Sequence, residues 1–159
     1  GNGMVYNIDY RSKKVVERNL SNLHHSPFYY QGFQCGSIEG VLQGIKFRNV
    51  SEQARVFALY GFNAKQQGKL VKWEDLYIKD ACLQRMSYMY EVFLNDLYYE
   101  CFNQNPDRKQ LLLDTHPHQL RHTIGHNNKS ITVLTEKEFI FTLTTLREMW
   151  YREIFLGEI

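Results

Sequence analysis

The sequence of 159 residues is short of cysteine and proline, has no long apolar run and carries no excess of one charge. Its three cysteines, Cys35, Cys82 and Cys101, are far apart and include no C-x-x-C pair, so a disulfide framework is not expected. No apolar stretch approaches the roughly 20 residues of a membrane span, and the polar start lacks the apolar core of a secretory signal. These absences predict a cytoplasmic protein with reduced thiols and no membrane partner.

The charges nearly cancel. Nineteen basic and 17 acidic residues give a formal net charge of +2, which argues against a general binder of polyanions but leaves a local anion site open. The remaining composition is typical of a folded domain, with 43% hydrophobic and 23% charged residues. Aromatic residues make up 14%, including eleven Tyr and ten Phe, and this share favours a core and pockets lined by rings.

One domain spanning residues 1–159 is predicted, because this length fits a single core and three prolines provide no evident linker. The three residues before Met4 leave open a vector-derived addition. Residues 4–9 and residues 28–35 are typical of short strands, and Gln31-Gly32 is a turn signal within the second segment. A small antiparallel hairpin or sheet is therefore expected near the N-terminus.

Helical signals dominate after the predicted hairpin. The predicted helices are one capped by Ser37, residues 52–60 capped by Ser51 and closed by Gly61, residues 64–69 capped by Asn63, residues 74–102 with one break allowed, one opened by Pro106, and a terminal helix. Residues 115–129, rich in His, Asn and Gly, are predicted to be a loop. Thr135 and Glu138 fit a capping box that starts the terminal helix. The predicted core stripe of this helix is Phe139, Leu143, Leu146 and Trp150. The fold class is thus mainly α (α+β), a multihelical domain with a small N-terminal β hairpin.

The first predicted helix carries polar residues at a regular spacing. Glu39, Gln43 and Lys46 project from one face, beside an apolar face that can anchor the helix in the core. Gly40 and Gly44 each cost roughly 1 kcal/mol of helix propensity against Ala, so another helix or a ligand is expected to pack close to this backbone. Spacing alone leaves two readings open, since a Glu in the first turn is favoured by the helix dipole in any case.

Four motifs in series carry a family resemblance. They are Asn19-Leu-Ser-Asn22-Leu-His-His-Ser26-Pro27-Phe28, Ser37-Ile-Glu39-x-x-x-Gln43-x-x-Lys46-Phe47, Ala64-Lys65-x-x-Gly68-Lys69, and Trp73. Residues 18–75 resemble the NADAR family of YbiA-like domains, whose pattern runs roughly L-S-N-F-x-x-S-P-F, S-x-E-H-x-x-Q-x-x-K-F, A-K-x-x-G-R and a Trp. The chain departs from this pattern at Gly40, where the family has His, and at Lys69, where it has Arg. The later W-G-x-G and G-x-N-x-L-G segments are replaced by Arg121-His-Thr-Ile-Gly125-His-Asn127.

The resemblance implies an N-glycosidase that cleaves the bond between ribose C1 and a nitrogen. The implied substrates are a ribosylated nucleotide, such as a ribosylamino-pyrimidine phosphate, or ADP-ribosylated guanine in nucleic acid. Glu39 would stabilise the positive charge that develops at C1 or would activate water. A lysine, Lys65 or Lys46, would form a Schiff base with a ring-opened sugar, or would instead hold a phosphate. No cofactor is expected.

Further residues are candidates for substrate binding. They are Asn22, Ser37, Gln43, Lys69, Trp73, Arg121 and His122. Asn22 is expected to orient ribose hydroxyls, although an Asx turn would also explain it. Trp73 would stack on a base or belong to the core. Arg121 would fork onto a phosphate or lie on the surface without a role. The loop of residues 115–129 is expected to face the first helix and to set substrate choice.

The sequence raises two other functions. The histidines at positions 116, 118, 122 and 126 suggest a zinc site, but they include no Cys and match no closed ligand spacing, so no metal is expected. A non-catalytic module that binds ADP-ribose or NAD is the serious alternative, because the family His is missing at Gly40. The sequence does not indicate an oligomeric state.

Overall fold

Helices dominate the computed structural model, which describes residues 4–157. The elements of this part of the chain are, in order, β1 (Val5–Asn7), α1 (Val15–Asn19), β2 (Phe28–Tyr30), β3 (Phe33–Cys35), α2 (Ile38–Gly44), α3 (Val50–Phe57), α4 (Gly61–Gly68), β4 (Leu76–Ile78), β5 (Ala81–Leu83), α5 (Tyr88–Asn103), α6 (Pro106–Asp114), β6 (Gln119–Arg121) and α7 (Glu136–Phe155). The predicted mainly α class with small sheets is confirmed. The tripeptide before Met4 lies outside the described residues. Among the described helices, none is long and apolar enough to cross a membrane.

The core lies between α2, the two long helices α5 and α7, and the hairpin of β2 and β3. The apolar stripe of α7 is buried from Phe139 to Trp150, as its spacing predicts. Trp150, Tyr90 and Tyr98 are among the largest fully buried side chains. Aromatic rings therefore fill much of the interior, in keeping with the aromatic-rich composition.

The hairpin predicted for residues 28–35 is confirmed. Phe28 pairs with Cys35 and Tyr30 with Phe33 in an antiparallel register, and these four side chains face the core. Gln31 and Gly32 make the turn with φ angles of 49° and 85°. Positive φ at both central residues is typical of the tight turns whose twist matches that of paired strands.

The first strand has a partner that the sequence did not reveal. β1 pairs in parallel with β6, so that Tyr6 lies opposite Leu120. The prediction that residues 115–129 form only a loop is therefore wrong. A strand of three residues with one inward-facing apolar side chain, Leu120, gives no periodic signal, because its pairing comes from the opposite end of the chain.

The start of the predicted helix 74–102 is also corrected. Its first part is the antiparallel hairpin of β4 and β5, and the helix α5 begins only at Tyr88. Tertiary hydrogen bonds hold the hairpin: the backbone N–H of Tyr77 donates to the carbonyl of Ile45 at 2.8 Å, and that of Lys79 donates to Gln53 Oε1 at 2.9 Å. These contacts come from distant residues, so local propensity could not predict them.

Two helix starts differ from the prediction. Asn49, not Ser51, caps α3, because its Oδ1 accepts from the N–H of Glu52 at 3.1 Å. Helix α3 ends at Phe57, and Gly61 begins α4 rather than closing α3. The cap residue of α4 is thus Tyr60, without a side-chain cap hydrogen bond, and not Asn63. Helix α1 was not predicted.

A buried ion pair fixes the N-terminus of α7. The predicted capping box is confirmed, with Thr135 and Glu138 exchanging hydrogen bonds. The carboxylate of Glu138 also accepts two hydrogen bonds from Arg85, at 2.9 and 2.6 Å, and both side chains are less than a tenth exposed. Arg85 further donates to the carbonyl of Thr132 at 2.9 Å. One guanidinium thus ties the segment before α5 to the start of α7.

We expect Arg85→Ala to lower the free energy of unfolding by about 3–5 kcal/mol, because it leaves a buried carboxylate without its partner. The matched control is Arg55→Ala, since Arg55 pairs with Glu52 on the surface with both side chains about half exposed; an exposed pair contributes about 0–1 kcal/mol. Denaturant unfolding measures both variants. Equal losses in the two would contradict the structural role given to Arg85.

Candidate active site

A cavity of about 230 Å³ opens between α2, α4 and loops from both ends of the chain. The loops are residues 9–11 after β1, residues 21–23 after α1, residues 122–126 after β6 and residues 132–134 before α7. Its polar lining includes Asn22, Glu39, Gln43, Lys65, His122 and His126. Five of the predicted site residues therefore lie together: Asn22, Glu39, Gln43, Lys65 and His122. The cavity also lies between α2 and the segment 115–129, where the sequence placed the site.

The N-terminus of α2 holds Glu39 in place. The hydroxyl of Ser37 accepts from the N–H of Gly40 at 2.9 Å and donates to the carbonyl of Leu59 at 2.8 Å. The N–H of Glu39 donates to the carbonyl of Asn22 at 2.9 Å. Gln43 lies one turn further on, and its Nε2 donates to Glu39 Oε2 at 2.8 Å. The predicted cap at Ser37 is confirmed, and it fixes the helix from which both cavity side chains project.

Glu39 is a buried carboxyl group among positive charges. Glu39 is only 8% exposed to solvent. Burial raises the pKa of Glu39 above its ordinary value, while the hydrogen bond from Gln43 and the charges of Lys65, Lys46 and His122 act in the opposite direction. A carboxyl group with a raised pKa in a cavity is typical of groups that transfer protons or stabilise charge.

The two candidate lysines occupy different positions. Lys65 is exposed and lines the cavity. Lys46 is half-buried beside Gln43 and Gly68: a Cβ at Gly68 would overlap Gln43 Oε1 and lie 2.9 Å from Lys46 Nζ. Burial lowers the pKa of Lys46, and the charge of Glu39 opposes this change. Gly68 thus leaves the space that the amide of Gln43 and the amine of Lys46 fill.

Asn22 presents an amide donor to the cavity. Its Oδ1 accepts from the hydroxyl of Tyr98 at 2.8 Å, and its Nδ2 has no hydrogen-bond partner within residues 4–157. The loop that carries Asn22 is held by Arg108, whose guanidinium donates to the carbonyls of Asn19 and Ser21 at 2.7 Å each. The rigid support and the open donor are the features expected of a group that orients a ligand hydroxyl.

His122 has a defined tautomer. Its Nδ1 lies 2.7 Å from the carbonyl oxygen of Ile8, and since a carbonyl only accepts, Nδ1 carries the hydrogen. In the neutral ring Nε2 is therefore the basic nitrogen. The ring packs edge-on against Phe139 at 5.1 Å between centroids. The imidazole is thus fixed in orientation by Ile8, directly after β1, and by Phe139 of α7 at one side of the cavity.

Sequence reasoning missed one wall of the cavity. Tyr10, Arg11 and Phe62 line it, with the Tyr10 and Phe62 rings 5.4 Å apart in an edge-on arrangement and the Arg11 guanidinium 4.8 Å from the centre of the Phe62 ring. Tyr10 and Arg11 directly follow a predicted strand. Only the parallel pairing of β1 with β6 shows that the end of this strand reaches the cavity, and no local pattern contains that information.

Other predicted site residues lie elsewhere. Ser37 is fully buried as the helix cap, Lys69 is exposed at the end of α4, and Trp73 is half-buried against the core. Arg121 pairs with Glu136 at 3.0 Å and lines a different groove. These residues do not line the cavity that holds Glu39.

Gly40, the position at which the NADAR pattern has His, faces away from the cavity. A Cβ at Gly40 would lie 2.7 Å from the carbonyl oxygens of Leu59 and Phe57, at the end of α3. The close packing expected at Gly40 and Gly44 is therefore that of another helix, since a Cβ at Gly44 would overlap the ring of Phe57. Among the residues described, no group of three or more His, Cys, Asp or Glu side chains is arranged to hold a metal ion.

Comparison with solved structures identifies a protein of similar fold. The NMR structure of the E. coli protein YbiA superimposes with a TM-score of 0.61 at 18% identity, covering 94% of this chain and 88% of that one. The fold is thus YbiA-like. The family model described as bacteriophage protein GP30.3 matches residues 14–148, and the chain belongs to this family. It is 35% identical to an uncharacterized 17.1 kDa protein of enterobacteria phage T4, encoded in the Gp30-rIII intergenic region, over 134 residues that cover 81% of this chain and 88% of the relative.

We expect Glu39→Gln to raise the melting temperature at about pH 8, because the raised pKa of Glu39 means that its charged form destabilises the folded state. The folded protein holds this proton more tightly than the unfolded chain does. The penalty is therefore complete above the folded pKa and disappears as the pH falls towards the ordinary value of 4.5. Thermal unfolding across this range measures the difference. Glu52→Gln, on the exposed face of α3, is the control, and an equal gain there would contradict the assignment.

Proposed function

We propose that this chain is an N-glycosidase of the NADAR type, which hydrolyses the bond between ribose C1 and a nitrogen. The observation that carries the proposal is the buried carboxyl group of Glu39, in a cavity that also contains an amide donor from Asn22, the amine of Lys65 and the imidazole of His122. The YbiA-like fold supports it, since YbiA is a member of the NADAR family.

The proposed reaction separates charge at C1. As the C1–N bond breaks, its electron pair leaves with the nitrogen and positive charge develops on the sugar. The carboxylate of Glu39 stabilises that charge, and its effect is large because burial removes competing water. Water then adds to C1 and loses a proton to Glu39 or to Nε2 of His122, while the departing nitrogen gains a proton. The products are a free sugar and a base.

In a covalent route, the first nucleophile that attacks C1 is a lysine and not water. A ribosylamine can open its ring, and an amine then attacks C1, expels the nitrogen of the base and leaves an imine that water hydrolyses. Lys65 is the better candidate for this amine, because it lines the cavity. Lys46 packs beside Gln43 and Gly68 and would act on Glu39 through its charge.

The cavity suits the ribosyl part of a substrate. Its volume of about 230 Å³ is below the roughly 300–1,000 Å³ of sites that enclose a drug-sized ligand. The sugar and the bond that breaks would therefore lie inside, and phosphates would lie at the mouth near Arg11 and Lys65. One of the two edge-on rings, Tyr10 or Phe62, would stack on a base. ADP-ribosylated guanine and a ribosylamino-pyrimidine phosphate both have these parts.

The competing function is a module that binds ADP-ribose or NAD without cleaving it. This alternative rests on the absence of the family His at Gly40. That argument is weakened because a side chain at this position would face α3. Isothermal titration beside a product assay separates the two functions. Binding of several ribosylated ligands without release of base or sugar would favour the module.

Glu39→Gln is expected to reduce turnover by about 10²-fold or more, because it removes the charge that stabilises the transition state and keeps the shape. Released base is measured with ADP-ribosylated guanine nucleic acid and, separately, with a ribosylamino-pyrimidine phosphate. Circular dichroism confirms folding. Activity of the variant within about threefold of the wild type would overturn the role of Glu39.

Borohydride added during turnover is expected to trap a sugar on Lys65 if the covalent route operates. Lys65→Arg keeps the charge but cannot form an imine, so it should be inactive and untrapped. Lys46→Arg is the matched control and should still be trapped on Lys65. Normal turnover of Lys65→Arg would leave this lysine an electrostatic role only, with water or Lys46 as the nucleophile.

A further inference from the structure

A second concave surface lies on α7 and β6, outside the cavity that holds Glu39. It is a groove of about 870 Å³, within the size range of small-molecule sites. Leu120, Ile140 and Phe141 form its apolar wall. Strand β6 separates the two sites, since Arg121 lines the groove and the next residue, His122, lines the cavity.

An unusual arginine lies in this groove. Arg147 is only 6% exposed, and its Nη1 donates to Thr115 Oγ1 at 2.9 Å and to the carbonyl of His118 at 2.8 Å. Its Nε is buried without a hydrogen-bond partner within residues 4–157. None of the described carboxylates lies within ion-pair distance of Arg147; Glu148 acts on it only as a more distant charge and hydrogen-bonds instead with His116 and Arg152.

A buried guanidinium without a counter-ion is costly, because its charge is desolvated and only partly compensated by neutral acceptors. The other charges of the groove do not supply the missing anion. Glu136 is paired with Arg121 at 3.0 Å and also accepts from the N–H of His122 at 2.8 Å, while Lys137 adds a further positive charge at the exposed side. The groove is thus apolar in its wall and positive in its balance.

We propose that this groove binds a small organic carboxylate with an apolar or aromatic body, whose carboxylate pairs with Arg147. Nη1 is used by Thr115 and His118 and Nε is fully buried, so Nη2 is the guanidinium nitrogen left to donate to a carboxylate oxygen of the ligand. The ring of Phe141, 70% exposed, would cover the apolar body. The site is independent of the proposed glycosidase activity.

The test is isothermal titration with 2-naphthylacetate and with its uncharged counterpart, 2-naphthylacetamide. The wild-type protein should bind the acid roughly tenfold or more tightly than the amide, since a hydrogen bond to a buried charge carries this difference. Inorganic phosphate, which has no apolar body, should bind more weakly than the acid. Equal affinities for acid and amide, or no binding of the acid, would overturn the proposal without any variant.

Variants locate the binding site. Arg147→Met should weaken binding of the acid roughly tenfold and leave the amide unchanged, while Phe141→Ala should weaken both. Arg152→Met, on the same helix but outside the groove, is the matched control and should bind the acid as the wild type does. Wild-type affinity of Arg147→Met for the acid would overturn the assignment. Loss of acid binding in Lys65→Met, which removes a positive charge from the other cavity, would place the ligand there instead.

Discussion

Helix α2 is buried along its whole length, and the close approach of α3 to its backbone is the constraint on which the site depends. Gly40 and Gly44 face α3, where a Cβ would meet backbone carbonyls or the ring of Phe57. A side chain at either position would push the two helices apart. Because this face of α2 packs tightly on α3, the helix presents Glu39 and Gln43 to the cavity in a defined position.

The parts of the fold that were predictable are those encoded by neighbouring residues. The cap at Ser37, the turn at Gln31 and Gly32, and the capping box of Thr135 and Glu138 each follow from a few adjacent positions. The parts that were not predictable depend on contacts across the sequence, such as the pairing of β1 with β6 and the backbone hydrogen bonds that hold β4.

The same distinction applies to the candidate site. Glu39, Gln43 and Lys65 were found because the family motif and the period of one helix carry them. Tyr10 and Arg11 were not found, since they reach the cavity only through the long-range sheet. The sequence also could not show that Arg121 pairs with Glu136 outside the cavity. Glu136 is 15 positions away, and adjacent residues of a strand point to opposite sides.

The pairing of β1 with β6 has a consequence for the synthesis of the protein. The cavity is lined by residues 9–11 from the start of the chain and by residues 122–126 and 132–134 from its last part. A nascent chain on the ribosome can form α2 with its cap and glycine face early, from residues close in sequence. Its cavity stays open to water until the last quarter of the chain has emerged, because only then can β6 join β1. The carboxyl group of Glu39 therefore becomes desolvated late, and a chain that stops before residues 122–134 has the motif without the enclosed site.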